Sequence, residues 1–323
     1  ALPYAKSADA KKVMLSSLGN AANRYSFDLA AKYLDDKDVN YQAAAACKNI
    51  ASKCKADIDY KKLTAGLNKA SAIYKAHGGA DDGYAVDEIK KILAEVKPGE
   101  IYKLTDEEKK AGYEILFDGT NLDKWVGDKK GYQVINNEIV VSAQYGSSGN
   151  LYSAEEYKDF VLRFDFCFTR PGVNNGIGIR TPQGVDAAYH GMCESQILDH
   201  DDPIYGGLAP YQVHGSVYGV IPAKRIKHKP LGQWSSEEIR VKGDHITVIV
   251  NGEVIVDGNV REACKGHNVA PDGGNSNPYT ADHRNHPGMF NKQGHIGFLG
   301  HGEGMKYRNV RILDMSKGKK SKK

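Results

Sequence analysis

Two hydrophobic patterns divide this chain. Over residues 1–97 the apolar side chains recur every three or four positions, whereas beyond residue 113 they come in short runs that alternate with polar residues. An α-helix repeats every 3.6 residues and a strand every two, so the pattern predicts helices first and strands afterwards. The change falls at Lys97-Pro98-Gly99, which indicates a hinge. We therefore predict a helical segment at 1–97, a linker at 98–112 and a β domain at 113–315.

The helical segment contains four amphipathic runs, separated by turn signals at Gly19-Asn20, 35–38 and Gly78-Gly79. The stretch 29–39, followed by four alanines at 43–46, resembles a HEAT-type helical repeat. Such arrays need several stacked units to bury their apolar faces, so a chain that begins within an array predicts further repeats before Ala1. A small helical cap is the alternative. A HEAT-like segment would also offer a surface for contact with another protein.

The β segment carries strand and hairpin signals along its whole length. Residues 160–168 place five apolar side chains on one face, and Asn251-Gly252 joins two apolar runs as a hairpin turn does. Another turn is expected at Asn136-Asn137. Eleven or more short strands without intervening helices, over about two hundred residues, favour a mainly β fold. The predicted architecture is a two-sheet sandwich of jelly-roll type.

Two of these predicted strands carry polar groups where a core strand would not. In the stretch 189–199, alternation places Glu194, Gln196 and Leu198 on one face. In the stretch 174–180, the same rule puts two glycines on one face together with Arg180. Bare backbone beside a guanidinium and a carboxylate suits a groove in which a polar ligand lies against the sheet. The alternative is an exposed sheet face with an ordinary surface Arg and Glu.

Charge and cysteine usage exclude some classes of function. The formal net charge is +4, but the segment 316–323 alone contributes five lysines, so the rest of the chain sums to −1. We find no basic stripe outside this tail, which we predict to be disordered, and hence no nucleic-acid function.

The five cysteines show no C-x-x-C spacing. No apolar run is long enough to span a bilayer, and no segment of this sequence has the pattern expected of a signal peptide. Because the chain starts at Ala1, we expect a processed or truncated product.

A series of motifs then resembles a known family. In chain order they are Phe117-Asp118-Gly119-Thr120, Asn175-Gly176-Ile177-Gly178-Ile179-Arg180, Glu194-Ser195-Gln196-Ile197-Leu198-Asp199, Gly215-Ser216-Val217-Tyr218, Gly232-Gln233-Trp234, Gly294-His295-Ile296-Gly297-Phe298 with His301-Gly302, and Tyr307-Arg308-Asn309-Val310. Together they resemble the 3-keto-disaccharide hydrolase family over about residues 113–314. The resemblance implies a concanavalin A-like jelly roll with a carbohydrate on its concave face. It also implies hydrolysis of glycosides already oxidised at C3, and a periplasmic or extracellular location.

The side chains agree with that chemistry. A conventional retaining glycosidase needs two carboxyl groups about 5 Å apart, yet Glu194 is followed on its strand face by Gln196 and Leu198. A 3-keto sugar removes this need, because the ketone acidifies the C2 proton and the anomeric oxygen can then be eliminated. Glu194 or His301 could move the proton, with the base and the acid left unassigned, and Arg180 could stabilise the enolate.

The expected substrate contacts are polar groups and aromatic rings near that face. We expect the aromatic contacts from Tyr218 and Trp234, although a Trp is often simply core. The expected polar contacts are Asn175, Gln196 and Asp199.

No cofactor is expected to be required, although a divalent cation is conceivable. His283 and His286 lie in the long irregular stretch 266–290, and Asp199-His200-Asp201-Asp202 forms another cluster. Neither spacing is diagnostic, since exposed His and Asp are ordinary loop residues. The predicted function is thus hydrolysis of a 3-keto saccharide. A non-catalytic, lectin-like carbohydrate-binding module is the alternative, and a protein-interaction module built on the helices is a third interpretation.

Overall fold

A computed structural model describes residues 2–141 and 149–317. The chain divides into two compact units, Ala1–Glu100 and Ile101–Lys323. From residue 318 onward, the segment predicted as a disordered tail lies outside the described residues.

The first unit is helical and has its own core. After a 3-10 turn at Leu2–Tyr4 it contains α1 (Ala8–Leu18), α2 (Arg24–Ala31), α3 (Asn40–Cys54), a 3-10 turn at Lys55–Asp57, α4 (Tyr60–His77) and α5 (Asp82–Glu95). The side chains of Ser7, Asn23 and Asp59 cap the first turns of α1, α2 and α4. Three of the four consecutive alanines, at 43, 44 and 46, are buried in α3, where small side chains let α2 and α4 approach closely. The predicted helical segment is present, and its HEAT-like character stays a prediction.

The second unit is an antiparallel sandwich of two sheets, which confirms the predicted fold class. Its first helix is α6 (Asp106–Ala111), its short later helices are α7 (Ala187–His190) and α8 (Val260–Ala263), and 3-10 turns lie at Pro203–Tyr205 and Pro210–Gln212. The strands are β1 (Glu114–Phe117), β2 (Trp125–Gly127), β3 (Tyr132–Ile135), β4 (Glu138–Val141), β5 (Leu151–Tyr157), β6 (Phe160–Phe168), β7 (Asn174–Thr181), β8 (Cys193–Leu198), β9 (Ser235–Lys242), β10 (His245–Val250), β11 (Glu253–Asn259), β12 (Gly294–Leu299) and β13 (Met305–Asp314).

Within the described residues, one sheet has the strand order β11-β10-β9-β6-β13-β4-β3, with β1 also paired to β13. The other has the order β2-β5-β12-β7-β8. Their facing surfaces enclose the core. In β6 the five phenylalanine and leucine side chains at even positions are buried in it, as the period of two predicts. We call the face of the five-stranded sheet that points away from this core its outer face.

The two predicted hairpin turns are present. Asn251 and Gly252 both have positive φ, 50° and 86°, as the tight turn between β10 and β11 requires. Asn136 and Asn137, with φ of 53° and 63°, make the corresponding turn between β3 and β4. These local signals fix the strand register at both hairpins.

Part of the segment predicted as a linker is ordered on the sandwich. Thr105 and Glu108 form a capping box at the start of α6. The buried Glu108 carboxylate also accepts hydrogen bonds from Tyr102 Oη and from Arg311 Nε on β13, at 2.5 and 2.7 Å. The segment around α6 therefore belongs structurally to the β unit.

Candidate active site

The outer face of the five-stranded sheet has a strip without side chains. Gly178 on β7 is paired with Glu194 on β8 and with Gly297 on β12. Two residues earlier in β7, Gly176 is paired with Gln196 on β8 and with Leu299 on β12. The intervening residues of β7 and β8 turn into the core. Three neighbouring glycines thus leave a stretch of backbone without side chains beside Glu194, as the sequence predicted.

Gly176 is the residue that makes room for the Glu194 side chain. A Cβ atom built on Gly176 would lie 1.9 Å from Glu194 Oε1 and 2.6 Å from its Cδ. The carboxyl group therefore lies directly over the backbone of β7. Glu194 Oε1 is buried and has no hydrogen-bond partner among the described residues. Burial raises the pKa of Glu194 to about 8, an effect to which the negative charge of Asp186 contributes.

His301 lies next to this carboxyl group. Its Nε2 is 3.9 Å from Glu194 Oε1, and its side chain is 49% exposed where that of Glu194 is 7% exposed. Partial burial lowers the pKa of His301, an effect that the charge of Asp186 opposes. The structure thus brings together the two residues predicted to move protons.

The opposite pKa shifts give the pair complementary states near neutral pH. A carboxyl group with a pKa of about 8 is mostly protonated there, and an imidazole with a lowered pKa is mostly neutral. One group can then donate a proton while its neighbour accepts one, which is what general acid–base catalysis requires. The pair can act on two adjacent atoms of a ligand from the same side.

The Gln196 amide group lies on the same face, and Tyr218 lies beside the same strand. Gln196 Nε2 donates to Asn174 Oδ1 at 2.8 Å. Tyr218, in a half-buried position, follows a segment that pairs with β8, and its backbone N–H donates to the carbonyl oxygen of Glu194. Gln196 and Tyr218 are therefore close to the acid–base pair, where substrate contacts were predicted.

The predicted position of Arg180 beside Glu194 is wrong. Arg180 has a φ of 46°, which interrupts the alternation of β7 and turns its side chain away from the glycine strip. The guanidinium is buried and donates to Asp159 and to three carbonyl oxygens, those of Lys158, Gly243 and Asn291. The guanidinium therefore links the chain segments that carry Lys158, Gly243 and Asn291.

Three predicted substrate contacts also lie elsewhere. Asn175 is paired with Ile197 and is fully buried on the core side, because its position in β7 has the parity of Ile177. The Trp234 ring is stacked by Arg308 of the eight-stranded sheet, 4.2 Å from Cζ to the ring centroid. Asp199 accepts a hydrogen bond from the Gly172 amide and so fixes the turn before β7.

The two sets of residues considered for a cation do not converge. His286 is buried between Asp282 and the carbonyl oxygen of Ala188. In the 199–202 cluster, Asp202 caps a 3-10 turn and the His200 ring faces the Ile226 carbonyl oxygen. Across residues 2–141 and 149–317 no three His, Cys, Asp or Glu side chains are grouped as metal ligands.

Two features were missed from the sequence. Asp186, at the N-terminus of α7, acts electrostatically on both Glu194 and His301. A second buried pair, His214 Nε2 and Glu237 Oε2 at 3.2 Å, lies inside the sandwich. Burial lowers the pKa of His214 to about 3 and raises that of Glu237, so burial disfavours the charged form of each group. The alternation of β9 places Glu237 inward, but neither pairing is visible in the sequence.

Comparison with known proteins agrees with this fold. Residues 112–313 match the profile of the 3-keto-alpha-glucoside-1,2-lyase-like domain. A 3-keto-disaccharide hydrolase of Bacteroides thetaiotaomicron is 26% identical over 279 residues, covering 77% of this chain and 95% of its own. Two crystal structures of candidate glycosyl hydrolases from Parabacteroides distasonis have TM-scores of 0.55 and 0.52, with 24% and 23% identity. They cover 67% and 62% of this chain and 99% and 98% of their own, and at these identities they show the fold.

The fold and the site define a β-sandwich with an acid–base pair on one sheet face, of which Glu194 is buried and His301 is half-exposed. The matching profile and the hydrolase relative place the chain in the class of enzymes that act on glycosidic bonds. The profile match covers more than half of the chain. The chain therefore belongs to the 3-keto-alpha-glucoside-1,2-lyase-like family, which confirms the resemblance found in its sequence motifs. Among the described residues, no helix is long and apolar enough to cross a membrane.

Proposed function

We propose that this protein cleaves 3-keto-glycosides, including 3-keto-disaccharides, by elimination across C1–C2 followed by addition of water. The observation that carries the proposal is the Glu194–His301 pair, 3.9 Å apart over a glycine strip. The family to which the chain belongs takes its name from a 1,2-lyase, and its Bacteroides relative is a 3-keto-disaccharide hydrolase.

The pKa directions support one assignment of roles. His301, neutral near pH 7, removes the C2 proton that the neighbouring ketone has acidified, and Glu194 donates its proton to the glycosidic oxygen as the C1–O bond breaks. The products of this step are the free aglycone alcohol and a C1=C2 enone. The resulting carboxylate then takes a proton from water that adds to C1, and the imidazolium returns a proton to C2. The net reaction is hydrolysis, and both residues recover their starting states.

The remaining contacts are proposed from their position on the same face. Gln196, held by Asn174, offers an amide N–H toward substrate oxygens, and Tyr218 offers an aromatic surface. Arg180 has no part in this scheme, since its guanidinium is committed elsewhere. No metal ion or redox cofactor is required for the steps as written. We also propose an extracytoplasmic location, as for exported enzymes of this kind.

The test compares 3-keto-glucosides and 3-keto-trehalose with the same sugars before oxidation. Release of 3-keto-glucose from the oxidised substrates alone supports the proposal, and binding without turnover would indicate a lectin-like module. Substrate carrying deuterium at C2 then tests the route: a primary isotope effect or exchange with solvent is expected. Full retention of deuterium with no isotope effect, together with equal rates on unoxidised glucosides, would overturn the elimination.

A further inference from the structure

Asp186 lies at the edge of the acid–base pair, on an element that the sheet and a long loop hold in place. Asp186 is the N-cap of α7, where its Oδ1 accepts the Ala188 N–H at 3.1 Å. The next residue, Ala187, lies on the glycine strip: a Cβ on Gly178 would be 3.0 Å from the Ala187 Cβ. Because Gly178 is the strand partner of Glu194, α7 packs on the outer face next to Glu194, with Asp186 directly before its first residue.

The loop over residues 266–290 fixes α7 from its other side. His286 is buried against the Ala188 carbonyl oxygen, at 3.0 Å from Nδ1, and its Nε2 contacts Asp282. The Gly288 N–H donates to the carbonyl oxygen of Tyr189. This irregular loop is therefore an ordered support for α7. The position of Asp186 depends on the support as well as on its own cap.

We propose that Asp186 is a positioning residue that holds both members of the Glu194–His301 pair in their protonated forms over a higher pH range. This inference rests on the proposed function. Its physical basis is simple: a fixed negative charge disfavours a second carboxylate beside it and favours an imidazolium. Burial has the larger effect: it raises the pKa of Glu194 and lowers that of His301. The Asp186 charge raises the pKa of both groups.

Other ionisable groups lie near the pair. Arg170 lies against Gly302, one residue after His301, and Glu303 follows on the same turn. Tyr218 lies beside β8. Cys193 and Tyr307 lie on the core side of the sheet, where burial raises the pKa of each and the Glu194 charge adds to that rise. Among the described residues, Asp186 is a charge on the outer face that acts on both reacting groups.

The test uses variants that separate charge from structure. Asp186→Asn removes the charge but keeps the helix cap, because Asn caps a helix about as well as Asp does. Asp186→Ala removes both. Asp202→Asn is the matched control, since Asp202 also caps a short helical turn but belongs to a different loop. The pH profile of kcat/KM on a 3-keto-glucoside is measured for all of them at constant ionic strength.

Asp186→Asn should shift both limbs of the profile toward acid by about half a pH unit, a size typical of one partly screened charge. Asp202→Asn should leave the profile in place. A structural role alone would lower the rate without moving the limbs. An NMR titration of the His301 ring without substrate gives a second readout, because it does not depend on activity. The same acid shift is expected there, and an unchanged titration in Asp186→Asn would overturn the proposal.

Discussion

Glu194 is a buried carboxyl group that destabilises the fold when it ionises. Its pKa rises from 4.5 to about 8 on folding, so the folded state holds the proton more tightly than the unfolded state does. Below the pKa of the unfolded state, the Glu194 carboxyl group is protonated in both states and no stability is lost. Between the two values stability falls as the pH rises, by roughly 1.4 kcal/mol for each pH unit. The cost at alkaline pH is on the order of 5 kcal/mol.

Replacing this group by its neutral isostere should therefore have opposite effects on stability and on activity. Glu194→Gln should raise the free energy of unfolding at about pH 9 by roughly 2–4 kcal/mol, and turnover should fall by about a hundredfold or more. Urea unfolding at about pH 9 and at about pH 4 checks the first part. An equal gain at both pH values would show that packing, rather than loss of the proton, causes the effect.

Gly176 offers a second test at the residue scale. In Gly176→Ala the new Cβ would lie 1.9 Å from Glu194 Oε1, so the carboxyl group must leave its position. We expect turnover to fall at least about tenfold, as a proton donor moves out of reach. Gly207→Ala is the control, because its Cβ would meet no atom within 4 Å. Equal activity of the two variants would contradict the role given to the glycine strip.

At the scale of single elements, strand β7 shows how an alternation rule fails. The rule places Arg180 on the face of Gly178, and it fails because Arg180 adopts a left-handed conformation near a shift in the pairing of β7 with β12. Nothing in the residue type predicts this, since Arg has no preference for positive φ. The same rule, applied strictly, places Asn175 on the core side with Ile177, where it is found.

Arg180 should matter for stability and little for chemistry. Arg180→Ala removes four hydrogen bonds and leaves Asp159 without this partner, which should cost roughly 3–5 kcal/mol of unfolding free energy. Arg180→Lys keeps the charge but offers fewer donors, so its unfolding free energy should lie between those of the wild type and Arg180→Ala. Well below the melting temperature kcat should stay near the wild-type value. A large loss of kcat in folded Arg180→Lys would return Arg180 to the reaction.

Across the whole molecule, the sequence predicted what depends on local pattern. The change of period predicted helices followed by a sandwich, and the glycine spacing predicted a bare strip beside Glu194. The site itself is assembled from β7, α7 and β8, which follow one another in the chain, and from the turn after β12, which comes much later. The electrostatic effect of Asp186 and the pKa of Glu194 arise only from packing and burial. Trp234 was misplaced for a similar reason, because a residue outside the strands has no face that alternation can assign.

The boundary between the two units gives a final prediction. The change in pattern at Lys97-Pro98-Gly99 suggests that a chain starting near Leu104 should fold and stay active. In the structure, the second unit begins at Ile101. Tyr102 N–H donates to the Asp118 carbonyl oxygen at 2.8 Å, and its ring lies under Arg311. These contacts belong to the sandwich, and a start at Leu104 deletes them.

A chain of residues 101–317 should therefore fold and keep the kcat/KM of the full chain, since the sandwich has its own core and the acid–base pair lies within it. A chain of residues 104–317 should fold with an unfolding free energy lower by about 1–3 kcal/mol, the cost of leaving buried polar groups unpaired. Tyr102→Phe in the full chain isolates the hydroxyl group, which donates to Glu108. Activity measured beside urea unfolding separates the outcomes. An inactive but folded 101–317 chain would mean that catalysis requires the helical unit.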